Sequence, residues 1–293
     1  MSGPSETPAS ARRRVRLVVR RAREARGWTQ SHVAEEMEWS LSKVMRIESG
    51  EVTISPNDLR PLLSFLGIKD KATIDGLVAS AKLSKQRRQW WDAPELKDGF
   101  TPALKQLVQL EPDATAVRYF YPLILPARFQ TPAYAAAILE SFRGGMKDEI
   151  IQTRLAIRAA RRERFLNDDR PAMSYAILDE SVLLRQTGGK HVLVEQLQEL
   201  ARIAGDPKVR LRIIPLSHKA AVATMGLYEI VYLGEEGDEE NAVLYRESDL
   251  VDELIDDADN IRRHRSQFER LWNTIHGEAA SSELLRQRLK DLQ

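Results

Sequence analysis

The side chains that most often perform catalysis are few in this sequence and are not grouped. The five histidines are scattered, and none of them has the spacing of a zinc-binding motif. No Gly-rich phosphate loop and no Gly-x-Ser-x-Gly elbow is present. Cysteine is absent, which excludes disulfides, cysteine-based zinc sites and thiol catalysis. The sequence therefore indicates no enzyme activity, no metal and no cofactor.

One pair of carboxylates, Asp179 and Glu180, follows a predicted strand over residues 173–178. Paired carboxylates can act as general acid and base, but acidic residues at a strand-to-helix junction are more commonly caps. We expect these two side chains to accept hydrogen bonds from backbone N–H groups.

Charge is divided unevenly along the chain, although its net charge is only +1. Residues 1–91 hold 17 basic and ten acidic side chains, whereas residues 92–293 hold 27 basic and 33 acidic ones. Eight arginines and one glutamate lie between residues 12 and 26, in a stretch without Gly or Pro that predicts a basic helix. Such a helix has either a polyanionic partner or merely a solvated face.

Hydrophobic spacing and capping residues predict five short helices in the N-terminal part of the chain. Val15, Val19 and Ala22 recur on one face of the first helix, and Gly27 marks its end. The predicted helices cover residues 12–26, 30–37, 41–48, 56–66 and 71–83. The second and third are joined by a tight turn, which is the arrangement of a helix-turn-helix domain.

The run AREARGWTQSHVAEEMEWSLSKVMRIESG, residues 22–50, resembles the DNA-binding domain of phage-repressor-type (Xre) regulators. The resemblance extends over residues 12–67. The matching positions are Gly27, Gln30, Ala34, Ile47, Glu48 and Gly50. It implies double-stranded operator DNA as a partner, and an internal ion pair between Arg23 and Glu48.

The same resemblance places the DNA-binding residues around the start of the third helix. Gln30 is expected to contact a phosphate, together with the amides of a helix N-terminus. Ser42 and Lys43 are expected to reach base edges, whereas Leu41 can contact only a thymine methyl group. Arg46, one turn further along, is expected at a base or a phosphate. Ser40 is expected to cap the helix.

The arginines at positions 12, 13, 14 and 16 have two interpretations. They either contact the DNA backbone without sequence preference or form a solvated helix face. Nothing in the sequence decides between the two.

The rest of the chain alternates helix and strand patterns. Residues 1–11 are expected to be a flexible leader, 12–83 the DNA-binding domain, 84–101 a linker and 102–293 a second domain. Strands over 117–125, 173–178 and 209–216, and a hairpin from 226–233 and 242–246, predict an α+β domain with a mixed sheet. A long helix is expected over 249–276, and a short one over 281–291. The Trp90-Trp91 pair in the linker is interpreted as an interdomain anchor, or else as a stacking platform.

Four segments of the second domain resemble the domain that follows the helix-turn-helix in antitoxin-like actinobacterial regulators. They are EPDATAVRYFYPLILPARFQTPAYAAAIL, AILDESVLLRQTGG, DPKVRLRIIPL and LYRESDLVDELIDDADNIRRHRSQFERL. The resemblance implies a local transcription regulator, without catalytic activity, that works with a small partner protein encoded nearby.

Three further expectations concern assembly, ligands and location. One helix-turn-helix reads only a half-site, so a homodimer on a palindromic operator is expected. The long C-terminal helix either supplies the dimer face or packs on its own sheet. The alternative to a protein partner is a small molecule, bound in a pocket lined by Phe120, Tyr121 and Tyr134. The other interpretation assigns these three aromatic side chains to the core. Without an 18-residue apolar run or a signal sequence, a cytoplasmic protein with no membrane contact is expected.

Overall fold

The computed structural model divides the chain into two compact units, Met1–Gln89 and Trp90–Gln293. The structure describes residues 7–84, 89–141, 145–219, 225–247 and 252–292. A helical first unit and a second unit with a mixed sheet confirm the predicted fold class, a helix-turn-helix domain followed by an α+β domain. Among the described residues, no helix is both long and apolar enough to cross a bilayer.

The first unit consists of five described helices, each preceded by a residue whose side chain accepts a backbone N–H three positions later. The capping residues are Thr7, Thr29, Ser40, Ser55 and Asp70. The helices are α1 (Pro8–Glu24), α2 (Gln30–Glu36), α3 (Leu41–Ser49), α4 (Pro56–Phe65) and α5 (Lys71–Leu83). These caps satisfy N–H groups that have no partner within the helix, so they determine where each helix begins.

Helix α1 begins at Pro8, four residues before the predicted start, so residues 8–11 are helical and not part of a flexible leader. The Thr7 hydroxyl accepts the Ser10 N–H at 3.3 Å, and Pro8 occupies the first helical position, where its missing N–H costs nothing. Residues 1–6 of the expected leader lie outside the described part of the chain.

Buried aliphatic side chains from all five helices form the core of the first unit. Among them are Val15, Val19, Val33, Val44, Ile47, Leu59, Leu62 and Leu77. Each such side chain contributes about 1.5–3 kcal/mol when it leaves water. Gly27 and Gly50 follow α1 and α3 with φ of +66° and +82°, a conformation that side chains with a Cβ rarely adopt. Helix α3 contributes Val44 and Ile47, which lie on one face, to this core.

The second unit contains a six-stranded sheet in the order β3-β2-β1-β4-β5-β6. The strands are β1 (Ala116–Tyr121), β2 (Met173–Asp179), β3 (Val209–Ile214), β4 (Leu227–Tyr232), β5 (Ala242–Glu247) and β6 (Glu253–Ile255). The first three are parallel, and β4, β5 and β6 pair antiparallel to their neighbours. The sheet is therefore mixed, as predicted.

Seven described α-helices surround the sheet. They are α6 (Pro102–Leu110), α7 (Pro132–Glu140), α8 (Asp148–Leu166), α9 (Ser181–Leu184), α10 (Lys190–Ala204), α11 (Ala258–Thr274) and α12 (Glu278–Asp291). Short 3-10 helices over Trp90–Asp92 and Pro94–Gly99 occupy much of the expected linker. The Trp90 and Trp91 rings pack edge to face, and the Arg164 guanidinium lies 4.5 Å from the Trp90 ring. Both rings thus have partners inside the second unit.

The expected helix over 249–276 is wrong in its first part. Residues Glu253–Ile255 form β6, which pairs with β5, and α11 begins only at Ala258. The Asp257 side chain accepts the Asn260 N–H at 2.8 Å, so the helix cannot be extended toward β6 without losing this cap. Residues 249–251 lie outside the described chain.

The apolar face of α11 packs on its own sheet. Ile261, Phe268 and Leu271 are buried in one cluster with the sheet residues Phe120 and Tyr228. Of the two predictions for the long C-terminal helix, packing within the domain is therefore the one observed. Because these side chains are covered, they do not supply a dimer face.

A buried charge network lies among β1, β4, α8 and the segments that precede and follow β1. Glu111 Oε1 accepts hydrogen bonds from Arg161 Nη2 at 2.6 Å and from Arg128 Nε at 3.1 Å, and Arg128 Nη2 lies 2.7 Å from the same oxygen. Although burial opposes it, the charge of these two arginines holds the pKa of Glu111 below its usual value. Burial raises the pKa of Glu229, whose carboxyl group accepts the Tyr121 hydroxyl at 3.1 Å. The network is internally paired, as buried charges must be.

Candidate nucleic-acid interface

The turn between α2 and α3 is short and has a defined backbone. Glu38 has a φ of +54°, a left-handed conformation that is uncommon outside glycine. The Trp39 N–H then donates to the Ala34 carbonyl at 2.8 Å, and the Ser40 hydroxyl accepts the Lys43 N–H at 3.2 Å. Ser40 is therefore the predicted cap. Together these contacts set the angle at which α3 leaves α2.

Helix α3 has one buried side and one exposed side. Val44, Ile47 and Glu48 are buried in the first unit. Five residues of α3 are exposed: Leu41, Ser42, Met45, Arg46 and Ser49. A helix anchored in this way presents a continuous free surface, which is the geometry required to enter a major groove.

The predicted ion pair between Arg23 and Glu48 is confirmed. Arg23 Nε donates to Glu48 Oε1 at 2.7 Å, and Arg23 Nη2 donates to Glu48 Oε2 at 2.8 Å. These hydrogen bonds are the main reason that the pKa of Arg23 is raised. Arg23 also donates to the Trp28 carbonyl at 2.8 Å. The pair therefore joins α1, the loop after α1 and α3.

Gln30 lies at the start of α2 and is bound to the same carboxylate. Its Nε2 donates to Glu48 Oε2 at 2.7 Å. An amide nitrogen carries two hydrogens, so one N–H remains for a second acceptor such as a phosphate. Gln30 is thus part of the buried hydrogen-bond network around Glu48. The sequence did not predict this contact, because it depends on where the fold places Glu48.

Lys43 is half-buried near the N-terminal end of α3. Its Nζ lies 3.8 Å from the centre of the Trp39 ring and 3.3 Å from Asp58 Oδ2. The ring and the carboxylate hold the ammonium group on the α4 side of α3. An ion pair of this exposure contributes little to stability, so a phosphate or a base acceptor can compete for the lysine.

Arg46 lies one turn further along α3 and is more than half exposed. Its Nε is 3.4 Å from Glu51 Oε2, and both side chains face solvent. As for Lys43, this exposed pair is weak and can be exchanged for a phosphate contact. Ser42 is exposed as well, and so is Leu41, with 43 % of its surface in solvent.

Met45 was missed by sequence reasoning, yet it is 50 % exposed on the same side as Leu41. The signal was present in the spacing. Positions 41 and 45 are four residues apart and are therefore neighbours on the helix surface, and position 45 lies off the side that carries Val44 and Ile47.

The arginine-rich helix α1 does not present all of its charge to solvent. Arg13 and Arg23 are buried, and Arg16 Nη1 donates to the Glu48 carbonyl at 3.4 Å. Arg14 and Arg21 are exposed. Part of the basic run is therefore used to hold the domain together, and the uniform solvated face considered above is not observed.

Of the two carboxylates singled out in the second unit, Asp179 binds the N–H at the start of α9, whereas the Glu180 side chain does not cap that helix and binds the loop after β3 instead. Asp179 Oδ1 accepts the Ser181 N–H at 2.9 Å, and Glu180 Oε2 accepts the Leu216 N–H at 2.7 Å. These bonds stabilise the loops that follow β2 and β3.

Comparison with known families agrees with this architecture. A model described as a helix-turn-helix domain matches residues 15–75, and the fold and exposed α3 define a helix-turn-helix regulator, a DNA-binding class of protein. The model "Domain of unknown function (DUF5753)" matches residues 104–287, more than half of the chain, which therefore belongs to that family. No curated protein and no solved structure matches the chain.

Proposed function

We propose that this protein is a sequence-specific transcription regulator of the Xre type that reads DNA with α3. The observation that carries the proposal is the division of α3, whose Val44 and Ile47 are buried while Leu41, Ser42 and Arg46 project outward. Residues at the N-terminal end of the second helix of such a motif reach base edges. Gln30 contributes its remaining N–H to a phosphate.

Charge supports DNA as the partner. Residues 1–91 hold seven more basic than acidic side chains. Lys43 and Arg46 have only weakly bound carboxylate partners, Asp58 and Glu51. Phosphates can replace these carboxylates at little cost, and release of counterions then drives binding.

The working form is a homodimer in the cytoplasm on a palindromic operator, because one domain reads one half-site. The second unit acts as an antitoxin-like regulatory domain that binds a small partner protein, and the chain has no catalytic activity. A protein partner is favoured over the alternative, a small molecule held by aromatic side chains. Phe120, Tyr121 and Tyr134 are 0 %, 1 % and 2 % exposed and belong to the core.

Selection of duplexes from a random-sequence pool by the full chain, followed by titration of the selected site, tests DNA recognition. Ser42→Ala combined with Lys43→Ala is expected to weaken binding to the selected site by about 30-fold or more, because each specific base contact contributes about 1–3 kcal/mol. Binding to unrelated DNA should change far less.

The matched control combines Ser64→Ala with Lys69→Ala, which removes the same two functional groups from exposed positions of the first unit away from α3. The control should bind as the unsubstituted chain does. If both double variants bound the selected site equally well, α3 would not be the reading helix. Sedimentation with and without the site measures the dimer.

The partner proposal has its own test. The full chain is co-expressed with the products of the adjacent genes and purified through a tag on the chain. A stoichiometric small protein should co-purify and change the affinity for the selected site. Absence of any complex at micromolar concentration would exclude an antitoxin-like role while leaving DNA recognition intact.

A further inference from the structure

Two large apolar side chains lie next to each other on the free side of α3. Leu41 is 43 % and Met45 50 % exposed, although both belong to residue types that normally avoid water. They are one helical turn apart and therefore share one face. We refer to Leu41 and Met45 together as the apolar strip.

A groove of DNA offers only one kind of apolar group at its base edges. The C5-methyl group of thymine projects into the major groove, whereas the other edge groups there are hydrogen-bond donors or acceptors. We infer that the apolar strip reads thymine methyl groups in the half-site, an inference that rests on the proposed DNA-binding function. The strip thus determines sequence preference without a hydrogen bond.

The spacing of the two side chains gives the pattern of thymines. Four residues of α-helix rise about 6 Å, and successive bases on one strand are about 3.4 Å apart. Leu41 and Met45 therefore reach thymines separated by about two base-pair steps. The polar Ser42 on the same exposed side reads a hydrogen-bonding edge of the same half-site.

Charge around the strip favours DNA over another protein as its occupant. Arg46 follows Met45 directly and is more than half exposed. Lys43 lies on another side of α3, where its ammonium group is held beside Trp39 and Asp58. A cation beside an apolar pair matches methyl groups that are bordered by phosphates, and it disfavours a purely apolar protein surface.

The test replaces thymine by deoxyuridine, which lacks only the C5-methyl group. The duplex selected by the full chain is synthesised with one thymine of the half-site changed at a time, and its affinity is measured by titration at constant salt. Deoxyuridine at each of two positions is expected to weaken binding about three- to five-fold, the effect of one methyl group left in water. Other thymines should show no effect.

Variants assign each methyl to a side chain. Leu41→Ala should abolish the deoxyuridine effect at one position, and Met45→Ala at the other. Leu166→Ala is the matched control, since it shortens an exposed apolar side chain on a helix of the second unit. This control should retain both effects. Thermal unfolding is measured for all three variants to confirm that they remain folded.

The possible failures are distinguishable. If no duplex is enriched by selection, the proposed DNA-binding function fails and the inference fails with it. If a site is selected but thymine and deoxyuridine bind equally well, the inference alone is overturned. If the two alanine variants also change the sedimenting mass of the free protein, the strip is a protein interface and not a reader of methyl groups.

Discussion

Glu48 Oε2 accepts two hydrogen bonds, from Arg23 Nη2 at 2.8 Å and from Gln30 Nε2 at 2.7 Å. A single carboxylate oxygen on the buried side of α3 thus binds residues of α1 and α2. The Glu48 side chain is 3 % exposed, and its hydrogen bonds to these partners offset the cost of burying it. These hydrogen bonds on the buried side of α3 therefore fix the orientation of its exposed side.

Removal of Glu48 should destabilise the first unit strongly. Glu48→Ala leaves the buried Arg23 with the exposed Glu24, 3.3 Å away, as its remaining carboxylate and is expected to cost about 3 kcal/mol of unfolding free energy. Calorimetry of the full chain should show the transition of the first unit at a lower temperature. Glu51→Ala is the control, because its exposed pair with Arg46 contributes less than about 1 kcal/mol. A loss as small as that of the control would show that the buried pair is not structural.

Glu38 offers the opposite case, a substitution that should stabilise the protein. With φ at +54°, this residue occupies a conformation that favours glycine. Glu38→Gly is expected to raise the unfolding free energy by about 0.5–1 kcal/mol, as measured by chemical denaturation. In Glu35→Gly, a matched change inside α2, the sign should reverse, since glycine in a helix costs about 1 kcal/mol. Destabilisation by both changes would contradict the backbone argument.

In the second unit, Glu111 is the residue on which the buried network depends. Glu111→Ala leaves the buried Arg128 and Arg161 with Glu229, 3.7 Å from Arg161, as the remaining carboxylate, so a loss of about 3 kcal/mol is expected in denaturant unfolding of this unit. Glu163→Ala removes an exposed carboxylate two residues after Arg161 on α8 and should change stability by less than about 0.5 kcal/mol. Equal stability of the two variants would mean that the network is dispensable.

Glu199 should make the stability of the second unit depend on acid. Hydrogen bonds from Arg202, and further from Arg162, lower the pKa of Glu199 from 4.5 to about 2. Stabilisation by this carboxylate is therefore complete above pH about 4.5 and is lost as the pH falls toward 2. At pH 7, Glu199→Gln should reduce stability by about 1–2 kcal/mol. The difference in Tm between the two chains should shrink over that acidic range, and a constant difference would exclude the carboxylate as its cause.

Local signals were sufficient for most of the fold. Capping residues such as Ser40 and Ser55 predicted helix starts correctly, because their hydrogen bonds involve only the next three residues. The strands of the parallel half were recognisable from their apolar runs. Strand β6 was missed because its three residues carry no clear period, and its existence depends on pairing with β5.

The side chains proposed to bind DNA were harder to place than the helices that carry them. The position of Leu41 on α3 follows from its spacing, and the exposure of Met45 could have been inferred in the same way. The bond from Gln30 to Glu48 could not, because it joins residues 18 positions apart through the packing of three helices. Likewise, Asp58 is brought to Lys43 by α4, a contact across 15 positions.

Helix α3 keeps its structural residues and its outward residues on separate sides, with Glu48 and Ile47 inward and Leu41 and Met45 outward. Selection can therefore act on the two sides independently. If α3 reads DNA as we propose, duplicated copies of such a gene can acquire new target sites by changing a few outward positions, while the inward positions maintain the fold. The same separation makes α3 a suitable graft for engineering, since its outward residues can be exchanged as a set.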